Sequence, residues 1–86
     1  MSEVTLRRDQ AYMMLVGMVR YALGRRTYVV REACDRIRQI APILSPGERG
    51  VIIRDIDEPE RFGYGMDMDR RDWMEVLEWL RTLPTE

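Results

Sequence analysis

Histidine and lysine are both missing from these 86 residues, and cysteine occurs once, as Cys34. The lack of histidine removes the commonest general base and metal ligand at neutral pH. The lack of lysine, with all fourteen basic residues arginine, counts further against an enzyme. A single thiol allows no internal disulfide, and no histidine is there to activate it as a nucleophile. No apolar run reaches the roughly 18–20 residues that a membrane-spanning helix needs, and no signal-peptide pattern opens the chain. A cytoplasmic, non-enzymatic protein without a cofactor or resident metal is therefore expected. A net charge of −1 argues against general nucleic-acid binding.

What is present is an arginine-only basic set on an otherwise ordinary globular composition, 45% apolar. The charge is uneven. Residues 1–43 carry eight Arg against four acids, and residues 44–86 carry six Arg against eleven acids. The basic half can face an anion, or the two halves can pair with each other.

The hydrophobic pattern predicts one all-α domain over residues 1–86, a compact bundle of about four helices, with a flexible stretch at 1–5 and a loop at 57–68. The first helix is expected from about Leu6 to Leu23, ending at Gly24. Between Ala11 and Leu23 only Arg20 is charged, so this helix is apolar nearly all round. Such a helix is buried on several sides within the bundle, or it joins copies of the chain, and a homo-oligomer through this helix is expected. The second helix, about Tyr28 to Ala41 with Thr27 as N-cap, carries a stripe of Val30, Ala33, Cys34, Ile37, Ile40 and Ala41, with Glu32 and Arg36 spaced as an ion pair. The third opens on Ser45-Pro46-Gly47-Glu48, a capping box with proline at the first helical position. The β-branched run Val51-Ile52-Ile53 and Ile56 suits a strand as well, and the cap decides for helix. The fourth begins near Asp69, lines up Trp73, Val76, Leu77, Leu80 and Leu83, and closes at Pro84.

Two groups of residues are candidate sites. In the connector after the first helix, Arg25, Arg26 and Thr27 stand at a helix start, flanked by Tyr21 and Tyr28, with Arg20 one turn earlier. Free backbone N–H groups, paired guanidinium groups and stacking rings suit a nucleotide or another anion. The competing reading has Arg25 and Arg26 bonding the end of the first helix or pairing with acids from the second half. Tyr64, between Gly63 and Gly65, and Trp79, off the centre of its helix stripe, are candidate protein contacts. The acids Asp55, Asp57, Glu58, Asp67 and Asp69 lack calcium-loop spacing and read as ion-pair partners for the arginine-rich connector. Cys34 reads as a buried structural thiol. The seven methionines read as core filler, Met13, Met14 and Met18 being the ones to watch.

The stretch Tyr21-Ala22-Leu23-Gly24-Arg25-Arg26-Thr27-Tyr28-Val29-Val30, with Ile52-Ile53-Arg54-Asp55-Ile56 and Asp69 four residues before Trp73, resembles a family of small bacteriophage and prophage proteins. The resemblance covers about two-thirds of the chain. It implies a binding role in the host bacterial cytoplasm, such as countering host defence by sequestering a nucleotide signal. The alternative is a protein-interaction module that inhibits or modulates a host protein. The family supplies no site residues.

Overall fold

A computed structural model describes residues 3–25, 27–63 and 70–84. Four α-helices follow one another: α1 (Glu3–Ala22), α2 (Thr27–Ile40), α3 (Pro46–Asp57) and α4 (Arg71–Leu80). Short 3-10 turns stand at Ala41–Ile43 and Pro59–Phe62. The described residues contain no strand, and none of their helices is long and apolar enough to cross a membrane.

α1 and α2 form a hairpin closed by Gly24, whose φ of 77° is a left-handed value that a Cβ disfavours. The Leu23 N–H returns to the Val19 carbonyl and the Arg25 N–H to the Ala22 carbonyl, which tightens the last turn. α3 packs on α1, and α4 lies across α2 and α3. The core forms where these faces meet. α1 supplies Leu15, Val19, Ala22 and then Leu23; α2 supplies Val30, Ala33, Cys34 and Ile37; α3 supplies Ile52 and Ile56; α4 supplies Trp73, Val76, Leu77 and Leu80. In α2 and α4 these residues belong to the stripes read from the sequence.

The third helix is a helix. The Ser45 hydroxyl accepts from the Glu48 N–H at 3.2 Å, and the Glu48 carboxylate accepts from the Ser45 N–H at 2.9 Å. Two orphan donors are satisfied before the β-branched run begins, which offsets the run's small helix penalty. Ile52 and Ile56 point inward, one turn apart, and Val51 outward.

Several boundaries differ from the sequence reading. α1 starts at Glu3, so residues 3–5 belong to the helix. Thr27 is the first residue of α2 rather than the residue before it, which puts the cap position at Arg26, outside the described residues. The segment expected as a loop contains the Pro59–Phe62 turn, closed by Gly63 at φ 85°. Arg36 donates to Gln39 at 3.1 Å, in place of the expected pairing with Glu32. The largest correction concerns α1. Its apolar girdle is not covered all round, because α2 and α3 take only part of it and leave Met13 69% and Met14 73% exposed.

Candidate functional site

The structure separates the candidate connector residues rather than gathering them around one point. Arg20, in the last turn of α1, turns toward α3. Its Nε donates to Asp55 Oδ2 at 2.9 Å. Asp55 is 1% exposed, and Arg61 approaches its other oxygen at 3.8 Å. Both guanidinium groups lie over the Phe62 ring, at 5.3 and 5.8 Å from its centroid. A buried carboxylate thus ties α1, α3 and the Pro59–Phe62 turn together, with an aromatic face filling the space between the two arginines.

Arg25 folds back on its own helix. Its Nε donates to the Tyr21 carbonyl at 3.2 Å, and its guanidinium stacks over the Tyr21 ring at 4.6 Å. It satisfies one of the orphan carbonyls at the end of α1 and complements the helix dipole there. Tyr21 and Tyr28 are both exposed, 61% and 69%, on the two sides of the turn. Arg26 and the Thr27 side chain lie outside the described residues, as do Tyr64, Asp67 and Asp69. Trp79 is half-buried against the edge of the core. Among the other acids, Asp57 pairs with Arg81 at 3.6 Å, Glu58 with Arg54 at 3.2 Å and Asp72 with Arg31 at 3.6 Å. Among the described residues none of these acids pairs with Arg25 as expected; their partners are spread over the bundle, and Asp55 reaches the end of α1 through Arg20.

A large apolar opening lies elsewhere. A groove of about 460 Å³ runs between α1 and α2, lined by Met13, Met14, Leu15, Gly17, Met18, Arg36 and Ile40. A second hollow of about 400 Å³ continues it toward Asp9 and Gln10 over the same two methionines. Apart from the surrounding backbone of α1 itself, no atom of the described residues stands within 4 Å of the position a Gly17 Cβ would take, so α1 is open at this point of the groove. Methionine is flexible and polarisable, and it suits surfaces that repack on contact. The sequence marks these methionines as the exception to core filling but not which of them is bare, because nothing in a run apolar on every side tells which side a neighbour covers.

Cys34 lies in a small polar cleft of about 130 Å³ with Arg31, Asp35, Arg38, Asp72 and Glu75. Burial lifts its thiol from 9.0 to about 11, with Asp72, Asp35 and Glu75 adding to the rise and Arg38 opposing it. Among the described residues no group of three acid or thiol side chains is placed to hold a metal ion. A thiol raised in this way is almost wholly protonated at pH 7.5. Alkylation of Cys34 by iodoacetamide in the folded protein is expected to be at least ~100-fold slower than that of a free cysteine and to accelerate between pH 9 and 11. Complete labelling within minutes at pH 7.5 would show the thiol to be neither buried nor shifted. The same shift makes the folded state weaker as pH rises. Stability from the protonated thiol is complete below the unfolded value near 9 and is lost on passing about 11.

Compared with protein-family models, curated proteins and solved structures, the chain matches none of them.

Proposed function

We propose that the chain is a binding module whose contact face is the α1 groove, and that it acts on protein rather than by catalysis. The observation that supports this reading is the pair Met13 and Met14, 69% and 73% exposed, beside the bare backbone of Gly17. Exposed large apolar side chains grouped along a groove mark contact surfaces, since monomers rarely leave such patches open. Helix-in-groove recognition needs this arrangement of an apolar trough with charged ends. Asp9 stands at one end and Arg36 at the other. A two-fold axis perpendicular to α1 would bring Asp9 toward the partner's Arg36, so self-association through α1 is the first expected use of the face. A bacterial host protein is the second, in keeping with the resemblance to small phage proteins and a place in the host cytoplasm.

Light scattering with Met13→Glu/Met14→Glu tests the reading. The parent chain is expected at twice its 10.3 kDa mass at tens of micromolar. The double variant is expected at the single-chain mass with unchanged helical circular dichroism. A parent chain that stays single and recovers no stoichiometric partner from bacterial lysate would sink the proposal.

A second reading keeps the connector as the site of an anionic small molecule such as a nucleotide. Exposed Tyr21 and Tyr28 on the two sides of Arg25 favour it, since two rings can stack on a base while Arg25, Arg26 and Thr27 meet its phosphate. A thermal shift with a nucleotide panel, lost in Arg25→Ala/Arg26→Ala, separates it from the first.

A further inference from the structure

Among the described residues, Arg49 and Asp55 are the two buried charged side chains, and they are treated very differently. Asp55 is held by two arginines. Arg49 is 6% exposed, and none of the described carboxylates lies within 4 Å of it. One of its terminal nitrogens donates to the Pro84 carbonyl. Its Nε is buried without a partner. A guanidinium never sheds its charge and offers five N–H donors, so a buried one with a single neutral acceptor is an incomplete arrangement. Such a group calls for an anion.

Space for one is present. Arg49 lines a cavity of about 200 Å³ with Pro46, Ile53, Leu80, Arg81 and Leu83. The walls other than the two arginines are apolar. Arg81 is half-exposed and already shares its charge with Asp57 at 3.6 Å. Counting the described residues, the cavity therefore holds about one uncompensated positive charge. The start of α3 borders it, where Pro46 has no N–H and the Ser45 hydroxyl takes the Glu48 N–H.

We propose that this cavity binds a monoanionic carboxylate carrying a short apolar tail. The carboxylate completes the Arg49 guanidinium, with Arg81 at the rim, and the tail lies against Ile53, Leu80 and Leu83. A phosphate fits less well, since its second charge and remaining oxygens would face aliphatic walls. The same chemistry is offered by a free short-chain acid and by a peptide ending in a leucine-type residue.

The test uses the full chain with hexanoate, hexanol, inorganic phosphate, and an acetylated tripeptide ending in leucine as free acid or as amide. Hexanoate is expected to raise the melting temperature saturably, by about 5–10 °C at ten times its dissociation constant. Hexanol and phosphate are expected to leave it unchanged. A stronger response to the free-acid peptide than to hexanoate, absent with the amide, assigns the source to a peptide end; the reverse order assigns it to a free acid. Arg49→Met keeps the aliphatic stem, drops the unpaired charge and is expected to fold with at least a tenfold weaker response. Should that variant not fold, the Arg49 Nε resonance of the parent chain serves instead, and it is expected to shift with hexanoate and not with hexanol. Equal responses to hexanoate and hexanol, no response to any carboxylate at tens of millimolar, or an undiminished response in Arg49→Met would each overturn the proposal. So would a response that appears only after residues 85–86 are removed, which would give the site to the chain's own end.

Discussion

Trp73→Ala is expected to remove about a third to a half of the chain's stability at 25 °C. The ring is completely buried, and truncating a buried tryptophan costs about 3–5 kcal/mol. A domain of 86 residues has about 4–13 kcal/mol to lose. The position of Trp73 makes the cost cooperative. α4 has ten residues, fewer than the roughly 12–15 that an isolated helix needs to persist in water. It exists because Trp73, Val76, Leu77 and Leu80 dock on α2 and α3. Without the ring, docking and helix weaken together. The indole N–H has no acceptor, so the ring contributes through its apolar area alone. Trp73→Phe removes that orphan donor along with some volume, and the two changes oppose each other. It is expected to stay within about 1 kcal/mol of the parent. Urea titration followed by far-ultraviolet circular dichroism measures both; a cooperative Trp73→Ala transition within 1 kcal/mol of the parent would contradict this account of α4.

Arg20→Met should cost about 2–3 kcal/mol, or a fall of roughly 8–20 °C in melting temperature. Removing the partner of a fully buried ion pair costs about 3–5 kcal/mol, because the remaining charge is stranded. Here the stranded charge is Asp55, 1% exposed, with Arg61 left at 3.8 Å. The Arg20 side chain is 47% exposed, which lowers the figure. The asymmetry gives a second expectation. Asp55→Asn should cost less than Arg20→Met, because two half-exposed guanidinium groups can return to water whereas a buried carboxylate cannot. The double variant should recover about 1 kcal/mol or more relative to the sum of the singles. Strict additivity, within about 0.5 kcal/mol, would mean that the pair carries no coupling.

Both effects rest on contacts of different legibility. Trp73 could be assigned to the core because Val76, Leu77 and Leu80 follow it at helical spacing, and local spacing is written in the sequence. The capping box at Ser45 and Glu48 was legible for the same reason: both partners lie within one turn. Arg20 and Asp55 were each singled out, but 35 residues separate them, and no periodicity carries a pairing across that distance. Arg49 was not legible at all. In Glu48-Arg49-Gly50 it reads as a surface charge, and it is buried because the chain after α4 passes over it. The groove over Met13 and Met14 fails differently. In a helix apolar on all sides, the sequence says that something must cover it without saying which face the chain's own helices leave bare.

The two tryptophans share one short helix, and this determines what an optical signal from the protein can see. Trp73 is sealed in the core and Trp79 half-sealed at its edge, both on α4, which rests on α2 and α3. Intrinsic fluorescence therefore reports the docking of α4 and is nearly blind to the outer turns of α1. Backbone dichroism weights α1 most, as the longest helix, with 20 residues. The two signals therefore weight different helices of the molecule. Coincident melts would mean that the helix bearing the methionine groove folds and unfolds with the rest; separated melts would mean that it is a foldon of its own, free to loosen without disturbing the core.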